Sequence, residues 1–366
     1  MSSRKKIFFT VTNDLSFDQR MIRICTTMAA QNYEVVLVGR KMKQSIKLTE
    51  RTFSQKRLCC IFNKGFLFYG EYNIRLFLFL LLQKADIICA IDLDTIMPCY
   101  FISRIKKIIR VYDAHELFCE MKEVVTRPLI YKCWKAIEKY FVPEYKYGYT
   151  VNSLLAKEFF NMYASGYAVI CNLPVMLPLL IPQKKERYFL YQGAVNEGRS
   201  FETLIPAMKH TDAKLIICGE GNFMRQARQL VKDNDLQEKI TFKGKIIPEM
   251  LRHYTIHAWA GITLFENTGL SNYLSLGNRF FDYLHAGIPQ LCVGYPLYKE
   301  INEQFEVAVT ISDCTVDEIV HGLKILLNDE GRYGKLQQNC LAAREVYNWQ
   351  EEEKKLVAFY RAILIK

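Results

Sequence analysis

Two arginines in the C-terminal half of the chain stand where a phosphate could bind. Arg199 ends a short loop that begins at Gly193, directly after a predicted strand. Glycine permits close backbone approach, and a guanidinium can hold a phosphate through two parallel hydrogen bonds. Arg279 follows Asn278 at the predicted start of a helix that runs to His285. Because the N–H groups at a helix start favour an anion, these residues predict a phosphate or diphosphate site.

The segment that carries this helix also holds a carboxylate. An apolar run at 262–265 predicts a buried strand, a polar loop follows, and Gly287 is placed to end the helix. Asp282 lies one helical turn inside, where an acid could hold a hydroxyl of a ribose or a sugar. An ordinary strand–loop–helix of an α/β core explains the same pattern, and that alternative stays open.

In the N-terminal half, further candidates follow predicted parallel strands. Ligands of open parallel sheets bind outside the carboxyl ends of the strands. The loop 12–20 after the first strand contains Asp14, Asp18 and Arg20, and His115 follows a strand predicted at 110–112. The alternatives are a turn and a helix cap for the aspartates and a structural role for the histidine.

A third strand, predicted at 85–91, ends in Asp92-Leu93-Asp94. Two acids around one residue could bind Mn²⁺ or Mg²⁺. Acids at strand ends are common, however, and also form loops and helix caps. We therefore expect a strand-end loop and no metal.

The order of strands and helices predicts an α/β protein with two Rossmann-like domains. The first βαβ unit lacks a GxGxxG turn, which argues against a tightly bound NAD or FAD. Residues 171–187 contain three prolines and end in charged residues, and a new strand begins at Tyr188. The predicted divisions are an N-terminal acceptor domain at 1–175, a linker at 176–187, a donor domain at 188–348 and a returning C-terminal helix at 349–366.

The net charge of +11 comes entirely from the N-terminal half. Residues 1–180 carry 26 Lys and Arg against 15 Asp and Glu, whereas residues 181–366 carry 23 of each. A basic surface of this kind suggests a polyanion, an anionic membrane or an acidic substrate. No nucleic-acid-binding motif is present, so we expect no nucleic acid partner. An anionic membrane surface and a solvated basic face without a partner both remain open.

The twelve cysteines show no CxxC pair and no zinc spacing, which is typical of a reducing compartment. The first residues are too short in apolar length for a signal peptide. Leu76–Leu82 is the longest apolar run and is too short to span a membrane. A buried helix is the first expectation for this run, and a helix lying on a membrane surface is the second. The predicted location is the cytoplasm, with the inner face of the membrane as a further expectation.

These motifs together resemble the group 1 (family 4-type) nucleotide-sugar glycosyltransferases of the GT-B fold, whose two Rossmann-like domains face each other across a cleft. The resemblance covers nearly the whole chain. It rests on the Gly193–Arg199 loop, the turn at Gly219, and a signature that here stands as Glu266, then Asn278-Arg279-Phe280-Phe281-Asp282-Tyr283, then Ala286-Gly287-Ile288-Pro289. Fifteen residues, 267–281, separate the two acids, more than in the common version of the signature, and the second acid is Asp instead of Glu.

The resemblance implies a role for each of these residues. Arg199 would neutralise the diphosphate leaving group, His115 would contact the donor sugar or a phosphate, and Glu266 would hold a sugar hydroxyl. The remaining positions would bind the nucleotide part of the donor, with Lys245 and Ile246 at the base: Gly193, Gly219, Lys245, Ile246, Asn278, Arg279 and Asp282. The loop that contains Asp14, Asp18 and Arg20 would face the cleft, so these three are candidate acceptor-side or phosphate contacts.

The predicted function is transfer of a sugar from a nucleoside diphosphate sugar to a glycan or lipid-linked acceptor, with retention of anomeric configuration and without a metal or a tightly bound cofactor. A nucleotide-sugar 2-epimerase or hydrolase of the same fold is an alternative, because it needs the donor site alone. A non-catalytic partner subunit that binds nucleotide-sugar or glycan is another, since the signature departs from its common version.

Overall fold

The computed structural model of the chain describes residues 4–16, 18–180, 182, 185–267 and 269–365. The chain divides into two compact units, each with its own parallel sheet. The first unit contains the residues up to Asn172 together with those from Glu352 onward, and the second contains Leu173–Glu351. Each unit is an α/β structure, so the predicted class with two Rossmann-like domains is confirmed.

The first unit is built on seven parallel strands in the order β3-β2-β1-β4-β5-β6-β7. The strand order reverses between β1 and β4, and such a switch point is where open sheets bind ligands. The strands are β1 (Lys6–Thr10), β2 (Glu34–Lys41), β3 (Ser54–Cys59), β4 (Ile87–Ile91), β5 (Ile109–Ala114), β6 (Tyr147–Thr150) and β7 (Ala168–Val169).

Helices cover both faces of this sheet. They are α1 (Gln19–Ala30), α2 (Gly65–Leu81), α3 (Ile96–Lys106), α4 (Lys122–Val125), α5 (Pro128–Phe141), α6 (Ser153–Tyr163) and α15 (Trp349–Ile365). The last helix joins this unit through its buried ring of Tyr360, which packs edge-on against Phe9 of β1.

The second unit has six parallel strands in the order β10-β9-β8-β11-β12-β13. They are β8 (Tyr188–Gln192), β9 (Lys214–Cys218), β10 (Ile240–Gly244), β11 (Ala260–Thr263), β12 (Gln290–Val293) and β13 (Ala308–Ile311). Its helices are α7 (Phe201–Ala207), α8 (Met224–Asp233), α9 (Pro248–His257), α10 (Leu270–Tyr273), α11 (Asn278–His285), α12 (Pro296–Phe305), α13 (Val316–Asn328) and α14 (Glu330–Arg344).

The apolar runs of the sequence form the cores of both sheets, as parallel strands covered by helices require. All five residues of β4 and all five of β8 are buried. Sequence patterns missed two edge strands, β3 and β13, because β3 is largely polar and β13 is short. The strand β11 ends at Thr263, so Leu264 and Phe265 belong to the buried start of the following loop.

The expectation of a buried helix for Leu76–Leu82 is wrong for three of its seven residues. Leu76 and Leu80 face the core, whereas Leu78, Leu81 and Leu82 are exposed. Helix α2 has apolar residues on both faces, so burying one face leaves the other in contact with solvent. Among the described residues, no helix is long and apolar enough to cross a membrane.

The first unit ends at Asn172, and the prolines that follow it belong to the second unit. Within the predicted linker at 176–187, residues 181, 183 and 184 lie outside the described residues, as do residues 1–3, Phe17 in the loop 12–20, Thr268 and Lys366. The chain passes back into the first unit at Glu352, inside α15, whose first residue is Trp349.

Candidate donor and acceptor sites

Two glycines bring the carboxyl ends of β8 and β9 into close contact. A Cβ atom on Gly219 would lie 1.8 Å from the carbonyl oxygen of Gly193, and the φ angle of Gly219 is +153°. The N–H of Gly193 donates to the carbonyl of Cys218 at 2.9 Å, which fixes the two turns together. Only glycine fits at residue 219, and the exposed backbone at Gly193 is open to a ligand.

The side chain of Arg279 lies directly against this turn. A Cβ on Gly193 would lie 3.3 Å from its Nη2, and its guanidinium carbon lies 4.1 Å from the ring centroid of Tyr191. Arg279 is 8% exposed, and its buried Nη1 has no hydrogen-bond partner among the described residues. None of the ion pairs between described residues includes Arg279 either. A buried guanidinium without a carboxylate calls for an anion from outside the chain.

Arg199 shares an aromatic surface with Arg279. The guanidinium carbon of Arg199 lies 4.5 Å from the ring centroid of Phe265, and that of Arg279 lies 5.1 Å from the same ring. Arg199 Nη1 also donates to Asn272 Oδ1 at 3.4 Å. The ring of Phe265 therefore holds the two predicted phosphate-binding cations next to each other, and these two arginines with Phe265 are here called the arginine pair.

Helix α11 begins beside the arginine pair, as predicted. The helix starts at Asn278, and no side chain caps it, since the residue before it is Gly277. The N–H of Gly277 donates to the hydroxyl of Tyr298 at 2.7 Å, and the ring of Tyr298 stacks on Phe265. The positive end of a helix and two guanidiniums thus share one aromatic cluster, and this arrangement can bind a diphosphate.

Asp282 lies one turn into α11 and is oriented by the chain itself. Gln192 Nε2 donates to Asp282 Oδ2 at 2.7 Å, and Thr255 Oγ1 donates to Gln192 Oε1 at 2.9 Å. The end of β8 and helix α9 therefore fix the carboxylate next to the Gly193 turn.

The other predicted donor residues lie at the carboxyl ends of neighbouring strands. Glu266 follows β11, and its N–H donates to the carbonyl of Gly198 at 3.0 Å, which joins it to the Arg199 loop. Lys245 and Ile246 follow β10 directly, and the N–H of Gly219 donates to the carbonyl of Gly244 at 2.8 Å. All seven predicted nucleotide-binding positions and Glu266 thus lie on loops or a helix start at one edge of the second sheet.

In the first unit, His115 is the centre of a second cluster, here called the histidine cluster. Its Nδ1 lies 3.1 Å from Asp92 Oδ2, and its Nε2 lies 3.3 Å from Asp113 Oδ2 and 2.6 Å from Arg20 Nε. Arg20 Nη2 also donates to Asp113 Oδ1 at 2.8 Å. Arg20 and Asp113 are buried, whereas the side chains of His115 and Asp92 are 23% and 17% exposed, so a ligand can reach these two.

The two aspartates favour the protonated form of His115. Burial alone lowers the pKa of His115, but Asp92 and Asp113 outweigh burial and raise the pKa to about 10. Arg20 Nε lies at donating distance from His115 Nε2, 2.6 Å, which suits a neutral imidazole; protonation of Nε2 ends that bond and directs its hydrogen to Asp113 Oδ2, 3.3 Å away. Asp113 Oδ2 is buried and has no hydrogen-bond donor other than His115 among the described residues, so protonation satisfies it.

Asp92 has a strained backbone that this cluster holds in place. Its φ and ψ are +54° and −179°, a conformation that residues other than glycine rarely adopt. Asp92 Oδ1 accepts a 2.8 Å hydrogen bond from the N–H of His115, and the Asp92 N–H donates to the carbonyl of Asp113 at 2.9 Å. Strain of this kind concentrates at functional sites, which supports a functional role for His115.

The three acceptor-side candidates all make contacts within the first unit. Asp14 pairs with Arg57 at 2.6 Å and accepts from the N–H of Ser16 at 2.9 Å. Asp18 caps α1, accepting from the N–H of Met21 at 3.1 Å. The turn and the cap that the sequence offered as alternatives are therefore present for the two aspartates.

Asp94 lies beside the histidine cluster, at the end of the Asp92-Leu93-Asp94 segment. Its Oδ2 accepts from Thr12 Oγ1 at 2.6 Å. Burial raises the pKa of Asp94 to about 7, with Asp92 adding to the effect and Thr12 opposing it. No group of three or more His, Cys, Asp and Glu side chains that could hold a metal ion occurs among the residues that the structure describes.

Sequence reasoning did not single out Phe265, Gln192 or Asp113 as site residues. Phe265 and Gln192 each stand at the carboxyl end of a strand, next to a residue that was selected. Asp113 lies near the end of β5, two residues before His115. Their position at strand ends was the available signal, since ligands bind at that edge of a parallel sheet.

Structural comparisons define the class of this fold. The chain is similar to a sucrose-phosphate synthase from Thermosynechococcus elongatus, with 14% identity and a TM-score of 0.82 over 99% of this chain and 100% of the other. It is similar to Anabaena HepE in complex with UDP and glucose, with 12% identity and a TM-score of 0.77 over 98% and 100%. WaaG, a glycosyltransferase involved in lipopolysaccharide biosynthesis, gives 14% identity and a TM-score of 0.74 over 96% and 98%. The fold is the two-domain GT-B fold.

Sequence comparison then identifies the family. Residues 180–343 match the family described as Glycosyl transferases group 1, which spans nearly the whole second unit with the arginine pair and α11. The second unit therefore matches the group 1 glycosyltransferase family, and the whole chain has the fold of such enzymes, so the resemblance seen in its motifs is confirmed. A search of curated protein sequences gave no match.

Proposed function

We propose that the protein transfers a sugar from a nucleoside diphosphate sugar to a hydroxyl of a glycan or lipid-linked acceptor. The observation that carries this proposal is the arginine pair, with the buried guanidinium of Arg279 against Gly193 at the start of α11. Departure of a diphosphate requires stabilisation of its negative charge, and preorganised cations and helix N–H groups supply it. The complexes of HepE with UDP and with UDP-glucose support a nucleotide-sugar donor.

Each donor residue has a proposed role in this reaction. Arg199 and Arg279 bind the diphosphate together with the backbone at Gly193, Gly219 and Asn278. Asp282, oriented by Gln192, accepts hydrogen bonds from the ribose, and Lys245 and Ile246 contact the base. Glu266 holds a hydroxyl of the donor sugar. The fixed cations neutralise the leaving group where another class of transferase uses a metal, so we propose a metal-independent reaction without a tightly bound cofactor.

The reaction is proposed to retain the anomeric configuration. No carboxylate stands out as a nucleophile, so the acceptor would attack from the same face as the leaving diphosphate, whose oxygen takes the acceptor proton. His115 contacts a sugar hydroxyl or phosphate, and Arg20 is a positioning residue that holds the imidazole through Asp113. Direct acceptor contacts for Asp14 and Asp18 remain predictions. The predicted location, the cytoplasm at the inner face of a membrane, belongs to the same proposal.

A replacement of Arg199 tests the chemistry. We expect Arg199→Ala to lower turnover by about 10²–10³-fold, the usual effect of losing one preorganised donor at a developing negative charge. The matched control is Arg225→Ala, which removes an exposed arginine of α8 and should leave turnover unchanged. The measurement is release of nucleoside diphosphate from the sugar donor in the presence of acceptor extract, with thermal unfolding of both variants recorded.

Two further measurements identify the nucleotide base of the donor and distinguish the transferase from the alternative functions. A thermal-shift screen of UDP, GDP, ADP and dTDP identifies the nucleotide, since a ligand of the folded state raises the unfolding temperature. In the second measurement, the protein is incubated with UDP-N-acetylglucosamine without an acceptor, and the products are analysed. An epimer or free sugar would favour the epimerase or hydrolase, and nucleotide binding without any turnover would favour a non-catalytic partner. Near-normal turnover of the Arg199 variant would remove this residue from the mechanism.

A further inference from the structure

Helix α2 presents an apolar surface to solvent as well as to the core. Phe68, Leu76 and Leu80 face the sheet. On the opposite side, Ile74 is 63% exposed and Leu78 is 54% exposed, and other large apolar side chains extend this row in both directions: Phe66, Leu67, Leu81 and Leu82. Isolated apolar side chains are normal on a surface, but a row along 17 residues of helix marks an interaction site.

Helix α3 continues the same surface. The connections from β3 to β4 and from β4 to β5 run in the same direction along the sheet, which places α2 and α3 on one face of it. The two helices pack side by side. Phe101 is 47% exposed and Ile105 is 59% exposed on α3. The exposed sides of the two helices, with Ile74, Leu78, Phe101 and Ile105 at the centre, are here called the α2–α3 surface.

The charges on α2, α3 and their flanking residues are almost entirely positive, and the exposed Glu144 beside the end of α3 lies 3.6 Å from Arg110. Glu71 is the single acid in residues 61–84, and residues 96–110 contain none. Glu71 is bonded to Arg75 at 2.7 Å and accepts from the N–H groups of Ile61 and Phe62 at 2.9 Å, so its charge is compensated. The cations at the edges are Lys64 and Lys84 at the two ends of α2, and Arg104 and Lys107 at the end of α3.

An apolar centre with a basic edge fits the boundary between the headgroups and acyl chains of an anionic membrane. We propose that the α2–α3 surface docks on the anionic leaflet of a lipid bilayer, with α2 lying along the membrane. Ile74, Leu78 and Phe101 enter the acyl boundary, and the lysines and arginines reach the headgroups. This inference rests on the proposed function in one respect: docking would bring the protein to a lipid-linked acceptor in the membrane. The docking itself requires no catalysis.

Cosedimentation of the full chain with lipid vesicles tests the apolar part of the surface. We expect the protein to sediment with phosphatidylcholine vesicles that contain phosphatidylglycerol and to remain in solution with phosphatidylcholine alone. Ile74→Glu combined with Leu78→Glu should reduce the bound fraction at least tenfold. The matched control is Val346→Glu, an exposed apolar position of the second unit, which should bind like the parent. Thermal unfolding and UDP binding, measured on every variant, show that the chain is folded.

A second pair of variants tests the basic edge. Each cation near an anionic leaflet contributes about fivefold to binding, so Arg104→Gln with Lys107→Gln should weaken vesicle affinity about 25-fold. The control is Lys209→Gln with Lys324→Gln in the second unit, which removes the same charge from exposed sites elsewhere. The loss should shrink at high salt, because screening already weakens the contribution of these charges.

Three results would overturn this inference. Equal sedimentation with neutral and anionic vesicles would remove the charge argument. Unchanged sedimentation of the Ile74 and Leu78 variant would remove the surface. A dimer of the parent that dissociates in this variant, without vesicle binding by either, would assign the surface to a second copy of the chain. A folded chain that sediments with anionic vesicles but transfers no sugar would contradict the proposed function and leave the docking intact.

Discussion

The arginine pair of the second unit and the histidine cluster of the first differ in how their charges are balanced. In the histidine cluster, Arg20 and His115 lie within 3.3 Å of the carboxylates of Asp113 and Asp92. In the arginine pair, the buried guanidinium of Arg279 stacks on Tyr191 and Phe265, and none of the ion pairs between described residues includes it. Both clusters are formed at the carboxyl ends of parallel strands.

The balance of charge in each cluster determines which kind of ligand it can bind. A cation whose charge is compensated inside the chain holds its neighbours in place and presents polar atoms to a neutral ligand such as a sugar hydroxyl. A buried cation without a carboxylate pays a desolvation cost that an anionic ligand offsets, so it is prepared for a phosphate. We therefore propose that the diphosphate binds to the second unit and that Arg20 is a positioning residue of the first.

Removing one cation from the histidine cluster should mainly lower stability, whereas removing one from the arginine pair should mainly weaken ligand binding. The largest effect is expected in the first unit. Arg20→Met leaves Asp113 buried without its partner, so the free energy of unfolding should fall by about 3–5 kcal/mol. Denaturant unfolding measures this change. The control is Arg344→Met, because Arg344 is also buried but donates to the carbonyl of Leu177, so its loss leaves no carboxylate unpaired and should cost much less. Equal destabilisation by the two variants would show that the Arg20–Asp113 pair has no special importance.

In the second unit, Arg279→Met should act mainly on ligand binding. No carboxylate is left unpaired, and methionine replaces part of the packing, so stability should fall less than in Arg20→Met. UDP affinity should fall by about 10–100-fold, the value of a hydrogen bond to a charged group. Arg344→Met is the control, because Arg344 is also buried but donates to the carbonyl of Leu177 at 2.6 Å. Calorimetric titration with UDP measures both, and unchanged affinity in Arg279→Met would break the comparison.

The smallest expected effect is a pH dependence of stability that comes from His115. Its pKa is raised to about 10 in the folded chain, against an ordinary value of 6.5. The folded state therefore holds the proton that the unfolded chain releases, and this stabilisation is complete below 6.5 and is lost as pH rises through about 10. Between pH 7 and 8 the free energy of unfolding should fall by up to about 1.4 kcal/mol more in the parent than in His115→Asn. Parallel pH profiles for the two proteins would contradict a protonated His115.

Much of the fold could be predicted because its cause is local. Apolar strands such as Ile87–Ile91 are buried on both faces, and Gly287 and Asn278 mark the ends of α11 as the sequence indicated. The surface on α2 could not be predicted in the same way. The apolar period of Leu76–Leu82 shows that one face is buried but does not show what covers the other.

The positions of candidate residues were predictable where a residue type is tied to a strand end or a helix start, as for Arg199, Arg279 and His115. Partners distant in sequence were not predictable. Arg20 is bonded to Asp113, which lies 93 residues away, and Asp14 to Arg57, 43 residues away. Such pairs form only when particular strands become neighbours in the sheet, and local sequence patterns do not show which strands are neighbours. The aromatic ring that places both arginines together, Phe265, escaped notice for the same reason.

A crystal structure of the full chain with UDP bound would test most directly whether the arginine pair binds the diphosphate. The diphosphate should contact the guanidiniums of Arg279 and Arg199 and lie at the first turn of α11, next to the Gly193 and Gly219 turns. A diphosphate bound at any other place on the chain would contradict a donor site at the arginine pair. So would a chain that binds none of UDP, GDP, ADP and dTDP at high concentration.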